Sequence, residues 1–429
     1  MRAVSRAFLI CPEPVRRLTA GVGSRFLTLS RVLADAGHRV TLAVPNPPDE
    51  VVSPPGGVEL VQARPDELGG QAEGHDWVLL HAHLGNHYLA QRDDLPVVVD
   101  LYDPFLVENL HYHAELGLEP YRTDHATWRL QLARGDLFLC SSAEQRLYYL
   151  GWLTALGRVH PLALEDDPEL RRLIVELPFG VPEEDPPSPS RAEVLPEVPA
   201  GAPVVYFGGI YDWYDPELLL EALPGLLALH PELVVVFVDH PHPDLTPQSA
   251  SARARRRVER EGWLGRQVRF ESWRSVERRF DLPAVADVAV VTHRGGIETD
   301  LSLRTRLVDL LWLGVPVLAT EGGTMARVVD ETGAGRTVPA GDAAALGEAI
   351  DELLSHPSAL RTAAAAGRRW ARERTWRRVA APLLEFAAAP WRDPHRDRFA
   401  ALAPGAVAPI EPLWRRARRR LRRRTGGGA

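Results

Sequence analysis

Two arginines separated by one residue, Arg304 and Arg306, are the side chains in this sequence best suited to bind an anion. They fall where a helix is predicted to begin, and the helix dipole already places positive partial charge there, so two cations require a compensating anion. Internal carboxylates are one source, because Glu298, Asp300 and Asp309 are near in sequence. A bound diphosphate is the other, since guanidinium forks and free backbone N–H groups both suit phosphate oxygens.

The helix that would carry these arginines is predicted from an apolar stripe at helical spacing. The stripe consists of Leu303, Leu307, Leu310 and Leu311. Ser302 is a suitable N-cap, and Gly314 marks the end of the helix. Residues 315–320, VPVLAT, are apolar and too few for a helix, which predicts a buried parallel strand. A second glycine turn, Gly322 and Gly323, then opens another helix.

Residues 294–324 resemble the C-terminal domain of GT-B glycosyltransferases, in particular glycosyltransferase family 4. The positions that match the family's pattern in order are Arg306, Asp309, Gly314, Pro316 and Val317. The resemblance implies an α/β protein of the GT-B fold, in which two Rossmann-like parallel-sheet domains face a cleft. It also implies transfer of a sugar from a nucleoside-diphosphate sugar, with retention of anomeric configuration and without a metal or other cofactor.

The same resemblance implies roles for individual residues. Asp309 matches the acid that accepts hydrogen bonds from the ribose hydroxyls of the donor. Glu298 resembles the first acid of the family's acidic pair, which holds hydroxyls of the donor sugar. Ten residues separate Glu298 from Asp309 here, a longer spacing than in the family.

The N-terminal part of the chain predicts a β-α-β unit. Residues 7–11 form a strand, a helix follows over about 23–36, and residues 39–45 form the next strand. Such a unit predicts a parallel sheet with its ligand at the carboxyl ends of the strands. Gly21 and Gly23 stand at the start of the helix, where glycine lets a ligand approach the backbone. A simple turn is the alternative, although the loop resembles one that faces the interdomain cleft in family 4.

Polar side chains follow further strands of the same predicted sheet. Asp100 and Asp103 lie at a strand end and are candidates for contacts with hydroxyls of an acceptor or sugar. Arg25, in the first helical turn, is a candidate anion contact. Three histidines also cluster in sequence: His81, His83 and His87. They have no carboxylate at ligand spacing, so we expect no metal site.

Proline and acidic residues dominate the middle of the chain and predict a linker over residues 183–202. The predicted units are an acceptor-side domain over 1–182, a donor domain over 203–375, and a crossing helix with a basic tail over 376–429. Each of the two domains has an ordinary domain size.

The donor domain begins with a strand that runs into Gly208 and Gly209. Family 4 enzymes usually place an arginine and a lysine in the following loop to hold the donor diphosphate. This chain has Asp212 and Asp215 there instead. Phosphate binding is therefore assigned to Arg304 and Arg306, together with the helix N-terminus at Gly322, Gly323 and Thr324. No lysine occurs among the 50 basic residues, so any phosphate must be held by arginine.

The composition bounds the class of protein. The chain has 429 residues, 45% of them hydrophobic, and a formal charge of −7. No apolar run approaches the length of a membrane span and the N-terminal apolar stretch is too short for a signal peptide, so we expect a cytoplasmic protein. Eight arginines lie between Arg415 and Arg424. This tail could rest on anionic lipid at the inner face of the membrane, or it could be a solvated segment.

These observations favour a nucleotide-sugar-dependent glycosyltransferase that acts on an unidentified glycan, lipid-linked or small-molecule acceptor and not on nucleic acid. The residues expected to take part in catalysis are Arg304, Arg306, Glu298 and Asp100. The residues expected to bind substrate are Gly21, Gly23, Gly208, Gly209, Asp309, Gly322, Gly323 and Thr324. The alternatives are a nucleotide-sugar 2-epimerase, which needs acid and base side chains at C2 of the sugar, and a non-catalytic GT-B binding protein.

Overall fold

Two parallel β-sheets organise the protein, which a computed structural model describes over residues 4–240 and 247–399. The arginine-rich tail between Arg415 and Arg424 lies outside the described residues. Among the residues that are described, no helix is long and apolar enough to cross a membrane.

The first sheet has seven strands and the second has six. The strands of the first sheet are Arg6–Ile10 (β1), Arg39–Val44 (β2), Val58–Gln62 (β3), Trp77–Leu80 (β4), Val97–Asp100 (β5), Leu137–Cys140 (β6) and Ile174–Glu176 (β7). Those of the second sheet are Val204–Gly209 (β8), Val234–Val238 (β9), Val268–Glu271 (β10), Val288–Val291 (β11), Val317–Thr320 (β12) and Gly335–Val338 (β13).

Helices connect most of these strands. In the first half of the chain they are Gly21–Asp35 (α1), Leu68–Gln71 (α2), Ala82–Gln91 (α3), Phe105–Glu108 (α4), His113–Leu116 (α5), Glu119–Arg134 (α6), Ala143–Ala155 (α7), Pro161–Asp166 (α8) and Arg191–Val194 (α9). In the second half they are Pro216–Leu229 (α10), Ser249–Arg260 (α11), Asp281–Ala284 (α12), Ile297–Leu301 (α13), Thr305–Leu313 (α14), Gly323–Thr332 (α15), Ala343–Ser355 (α16) and Pro357–Arg372 (α17). The chain ends its described part with Trp376–Val379 (α18), Ala381–Ala388 (α19) and Arg396–Phe399 (α20).

Both sheets have the doubly wound strand order. The orders are β3-β2-β1-β4-β5-β6-β7 and β10-β9-β8-β11-β12-β13, and every recorded pair of neighbouring strands is parallel. The order reverses beside β1 in the first sheet and beside β8 in the second. In open parallel sheets a ligand binds outside the carboxyl ends of the strands at this reversal. The loops after β1 and β8 are therefore the ones expected to carry a site.

The strands are apolar because both faces of each sheet are covered. In β1, Ala7 and Leu9 belong to one buried apolar cluster, whereas Phe8 and Ile10 belong to another on the opposite face. Continuous burial of this kind is typical of parallel sheets between helical layers. It fixes the strand ends firmly, so that the loops at the carboxyl edge have a rigid support.

The final helices return from the second half to the first. Val181 and Trp376 are joined through the backbone, since the Trp376 N–H donates to the Val181 carbonyl at 2.9 Å. Phe386 of α19 then packs edge-on against Trp77 of β4, with ring centroids 5.3 Å apart. The predicted domain boundaries stay a prediction, but the crossing contact itself is present.

The helix that carries the two arginines begins later than the sequence predicts. Arg304 is the N-cap of α14 and Arg306 lies in its first turn. Ser302 is not the cap, because it ends the short helix α13 that precedes. Gly314 does end α14, in the left-handed conformation with φ of 74°. Its N–H bonds back to the Leu310 and Leu311 carbonyls, as expected of a glycine at a helix end.

Candidate active site between the two sheets

A cavity of about 550 Å³ lies between the two halves of the chain, at the carboxyl ends of their sheets. The first half contributes Glu13, which follows β1, and Asp103, which follows β5. The second half contributes Gly209 at the end of β8 and Arg306 and Asp309 on α14. The strand-order reversals thus place side chains from distant parts of the sequence around one space.

Arg306 lines this cavity and is held in place without a carboxylate. Its guanidinium donates to the carbonyls of Phe207 and Gly209, at 2.6 and 2.5 Å, and lies 4.5 Å from the centre of the Tyr214 ring. Within the described part of the chain, no carboxylate oxygen is recorded within 4 Å of it. The fixed positive charge is therefore left for a ligand to neutralise.

Arg304 also lines the cavity, but its charge is compensated internally. The side chain is 8% exposed, donates to Glu108 at 2.9 Å and forms an ion pair with Glu298. The Ser302 hydroxyl joins the network by donating to Glu298 at 2.9 Å. For Arg304 the structure therefore shows the internal ion pair, while its Nε has no hydrogen-bond partner within the described part of the chain.

The position of Glu298 differs from the sequence-based expectation that it holds hydroxyls of the donor sugar. It is 3% exposed, pairs with Arg304 and does not line the cavity. A contact between its carboxylate and hydroxyls of a donor sugar would require this ion pair to open. The structure gives Glu298 the position of a buried counter-ion for Arg304.

Asp309 lines the cavity next to Arg306 on the same helix, and no hydrogen bond of its carboxylate is recorded among the described residues. Burial raises the pKa of Asp309 to about 6, while the nearby Arg279 cation acts in the opposite direction. A carboxylate with free acceptor oxygens at a cavity wall suits sugar hydroxyls. The expected contact with ribose is compatible with this placement and stays a prediction.

Asp100 and Arg25 do not face the cavity, contrary to the sequence-based expectation. Both are fully buried and form a two-point ion pair, with distances of 2.6 Å from Nε and 3.0 Å from Nη2. Arg25 also donates to the Leu177 carbonyl at 2.9 Å. Because each charge satisfies the other inside the protein, Asp100 cannot receive an acceptor and Arg25 cannot bind an external anion in this arrangement.

Two of the four expected glycines near the sheet ends, Gly21 and Gly209, line the cavity. Gly23 serves packing and capping instead: its N–H donates to Glu13 at 3.2 Å, and a Cβ there would lie 2.6 Å from a methyl group of Thr19. Gly208 has φ of 82° and forms the irregularity at the end of β8. The carbonyls of the residues on either side of it, Phe207 and Gly209, both accept hydrogen bonds from Arg306.

The turn before α15 lies outside the cavity lining. Gly323 is required by packing, because a Cβ on it would lie 2.2 Å from the Thr299 carbonyl oxygen. The Thr324 hydroxyl donates to Glu144 of α7 at 2.8 Å. A carboxylate of the first half thus already occupies the N-terminus of α15, where the sequence predicts a diphosphate held by Gly322, Gly323 and Thr324.

The histidines do not converge on one point. His81 contacts the Asp100 carbonyl at 2.7 Å, His83 contacts Asp124 at 2.9 Å, and His87 is exposed. The expectation of a metal-free protein stays a prediction.

Comparisons with known proteins agree with this architecture. The family model described as "Glycosyl transferases group 1" matches residues 202–356. The phosphatidyl-myo-inositol mannosyltransferase of Mycobacterium leprae is 26% identical over 400 residues, which cover 88% of this chain and 95% of the relative. The Mycolicibacterium smegmatis protein of the same name is 26% identical over 371 residues, which cover 81% of this chain and 84% of that relative.

Solved structures show the same fold. Anabaena Alr3699/HepE in complex with UDP-glucose superposes with a TM-score of 0.65 at 16% identity, covering 89% of this chain and 98% of that one. Sucrose-phosphate synthase of Thermosynechococcus elongatus gives a TM-score of 0.64 at 19% identity, with the same coverages of 89% and 98%. The chain is a glycosyltransferase with the GT-B fold. The family description and the names of the curated relatives favour this activity over a 2-epimerase or a non-catalytic binding protein.

Several cavity residues of the transferase were not identified from the sequence as site residues. They are Glu13, Glu108, Tyr112, Trp213 and Arg279. The position of Glu13 directly after β1 is the one signal that could have found it, since parallel sheets bind ligands at that edge. The others reach the cavity from loops and short helices without a periodic pattern, so only the packing of the two halves reveals them.

Proposed function

We propose that the transferase takes its sugar from a nucleoside-diphosphate sugar and passes it to a hydroxyl group, with retention at the anomeric carbon. The observation that carries this proposal is Arg306, a cation at the cavity wall with no carboxylate partner among the described residues, on the same helix as Asp309, whose carboxylate has no recorded hydrogen bond there. A diphosphate complements the first and ribose hydroxyls complement the second. The cavity volume of about 550 Å³ lies within the range typical of small-molecule sites.

The chemistry requires positive charge where the leaving group develops its negative charge. When the bond between the sugar and the β-phosphate breaks, charge accumulates on the phosphate oxygens, and a fixed cation in a water-poor cleft stabilises it without reorganisation. Arg306 is fixed by two backbone carbonyls and by the Tyr214 ring. Arg304, tied to Glu108 and Glu298, is assigned to hold the cleft wall and to add to the local field.

The relatives guide the choice of substrates. The solved structures of Alr3699/HepE contain UDP, glucose or UDP-glucose, and the mycobacterial relatives are named mannosyltransferases that act on phosphatidyl-myo-inositol. We therefore propose a hexosyl donor, with UDP-glucose and GDP-mannose as the first donors to test and phosphatidylinositol as the first acceptor. Contact of the arginine-rich tail with anionic lipid also stays a proposal.

The binding part of the proposal is tested by thermal shift with UDP, GDP and dTDP on the full-length protein. We expect at least one nucleotide to raise the melting temperature, because a ligand that binds only the native state stabilises it. Arg306→Ala should lose most of that increase. Arg278→Ala is the matched control, because Arg278 is an exposed arginine paired with Asp281 and does not line the cavity. Equal nucleotide-induced shifts in the wild type and in Arg306→Ala would remove the assigned role.

The stereochemical part needs product analysis. The anomeric configuration of the transferred sugar, read from its one-bond and vicinal NMR couplings, should match that of the donor. An inverted product would refute retention while leaving donor binding intact.

A further inference from the structure

An exposed apolar strip lies beside the cavity, on the segment that follows α4. Of the ten large hydrophobic side chains recorded as exposed among the described residues, four lie within residues 110–121. These four form the apolar strip, and their exposed fractions are 46% for Leu110, 51% for Leu116, 54% for Leu118 and 43% for Tyr121. Single exposed apolar side chains are normal, but four in one short segment indicate a surface that contacts something apolar.

The apolar strip is continuous with the cavity. Leu116 lines the cavity although half of its surface is exposed, and Asn109, Tyr112 and Pro120 of the same segment line it as well. The segment follows β5, so it lies at the carboxyl edge of the first sheet, where ligands of parallel sheets bind. A cavity ligand with an apolar part would therefore leave the cavity past Leu116 and across the strip.

The acidic side chains of this segment already have partners. Glu119 forms an ion pair with Arg122 at 2.6 Å. Glu115 accepts a hydrogen bond from the Ser249 hydroxyl, which belongs to the first residue of α11. The charge of Glu119 is thus balanced within the segment, and the contact of Glu115 brings the second half of the chain beside the strip.

The helix α11 adds two cations beside the strip. Arg253 lies one turn after Ser249, and Arg256 follows three residues later on the same side of the helix. Both are exposed, and no ion pair is recorded for either among the described residues. Burial raises the pKa of Asp212, which Glu115 raises further and Arg253 lowers, so all three groups are neighbours. The arginines therefore border the strip.

An apolar surface bordered by arginines suits the face of a membrane that contains anionic lipid. Leucine side chains enter the boundary between headgroups and acyl chains, tyrosine is favoured at that depth, and arginine binds the phosphate groups. A second copy of the chain fits less well. At a symmetric interface, the same patches of two copies would meet and bring the like charges of Arg253 and Arg256 together.

We propose that the apolar strip and the two arginines of α11 dock the transferase on an anionic membrane, from which a lipid acceptor enters the cavity past Leu116. This rests on the proposed function, because it names the acceptor of the same site as a lipid. The hydroxyl-bearing headgroup reaches the donor inside the cavity, while the acyl chains stay in the bilayer. The strip is a surface distinct from the arginine-rich tail.

A fluorophore at one position separates the strip from the tail. Cys11 and Cys140 are fully buried, so a cysteine introduced at the surface can be labelled selectively. Full-length Leu118→Cys carries an environment-sensitive dye and is mixed with vesicles of phosphatidylcholine and phosphatidylglycerol. We expect the emission to shift to the blue, because the dye at this position enters the apolar boundary of the bilayer.

Leu229→Cys is the matched control for the dye. Leu229 is 62% exposed, but it ends α10, which starts at the carboxyl edge of the second sheet and runs back to the opposite edge. A dye at Leu229 should not respond to the vesicles. Replacing Arg253 and Arg256 by alanine in the protein labelled at position 118 should weaken vesicle binding about tenfold.

Sedimentation with the same vesicles measures docking without a label. The double variant Leu110→Asp and Leu118→Asp should lower the partition coefficient about tenfold although the tail is intact. The difference should persist in high salt, which screens the charges of the tail. Leu229→Asp should behave like the wild type. Neither Leu110 nor Leu118 lines the cavity, so the double variant should keep its nucleotide-induced thermal shift, which shows that it folds.

The other outcomes overturn the proposal. A dye at position 118 that does not respond while the protein sediments with vesicles would show that another surface, such as the tail, binds the membrane. Emission that shifts without vesicles and depends on protein concentration would show a contact between copies. Equal sedimentation of the wild type and the Leu110 and Leu118 double variant, or no sedimentation of either, would also refute docking. Failure of the proposed function looks different, because the unmutated protein would then show no nucleotide-induced thermal shift.

Discussion

Arg304 and Arg306 share a residue type and the start of one helix, yet their surroundings give them different roles. Arg304 meets Glu108 and Glu298, so its charge is neutralised before any ligand arrives. Among the described residues, Arg306 is recorded only against two carbonyl dipoles and two aromatic rings. Carbonyls orient a guanidinium without cancelling its charge. At the scale of residues, the ability to bind an anion therefore depends on the partner and not on the arginine alone.

The pH dependence of stability should report on Asp309. Its pKa is raised by burial to about 6 in the folded protein, so the native state binds the proton more tightly than the unfolded chain does. The resulting stabilisation of the folded protein is at most about 3 kcal/mol and is fully present below the pKa that Asp309 has in the unfolded chain. It is lost as the pH rises through about 6. Asp309→Asn should therefore be more stable than the wild type above pH 6 and equal to it near pH 4.

Urea unfolding at several pH values measures this difference. Asp300→Asn, at an exposed position on α13, is the control and should show no such trend. A difference between Asp309→Asn and wild type that does not change between about pH 4 and pH 7 would show that Asp309 is not the titrating group.

At the scale of elements, three short segments decide the geometry of the cleft wall. The helix α13 carries Glu298 to Arg304, α14 carries the arginines, and α15 packs its first residue on the backbone of α13. Gly323 permits that approach, with φ of 70° and no side chain against the Thr299 carbonyl. The glycine turn therefore positions the helices that form the site, which explains its presence without a bound phosphate.

Gly323→Ala should destabilise the protein by more than the strain of an alanine at positive φ alone would. The added Cβ would lie 2.2 Å from the Thr299 oxygen, so α13 and α15 must separate. Gly333→Ala, at the other end of α15, is the matched control, because Gly333 has φ of 66° but nothing within 4 Å of a Cβ. The control should lose about 1 kcal/mol and Gly323→Ala clearly more, as measured by denaturant unfolding. Equal losses would mean that the two helices do not pack as described.

At the scale of the whole molecule, polar bridges and a returning chain segment hold the two halves together. Glu144 of α7 contacts Thr324 at 2.8 Å and Arg327 at 2.6 Å across the cleft. These bridges are partly exposed and individually weak. The returning segment is different, because Arg396 is 1% exposed and lies 3.4 Å from the buried Asp136 of the first half. Its anchoring fixes how the two cleft walls face each other.

Arg396→Ala should therefore be strongly destabilising. It removes the guanidinium that contacts Asp136 and leaves only the more distant Arg158 cation near this carboxylate. Breaking a buried pair in this way costs roughly 3–5 kcal/mol. Arg392→Ala, at a nearby and more exposed arginine, should cost little. Denaturant unfolding of the two variants checks the difference. A small loss in both would show that the returning segment is not held by this ion pair.

Sequence patterns determined the secondary structure and the class of fold, because hydrophobic periodicity, glycine stops and short apolar strands are local properties of the chain. These patterns predicted the two parallel sheets and the end of α14 at Gly314. They also carry the resemblance to glycosyltransferases from which the transferase activity was expected. Local order also placed Arg304, Arg306 and Asp309 on one helix, and all three line the cavity.

Only the tertiary structure decided which charges are free. Asp100 was expected at the site but meets Arg25, a residue 75 positions away, and Glu108 meets Arg304 at a separation of 196. Arg306, in contrast, reaches the cavity with a guanidinium that, among the described residues, is recorded against carbonyls and aromatic rings and against no carboxylate. Burial and ion pairing act through space between segments that are distant in sequence. The sequence therefore shows where charged residues occur, but it does not show which of them are left unpaired for a substrate.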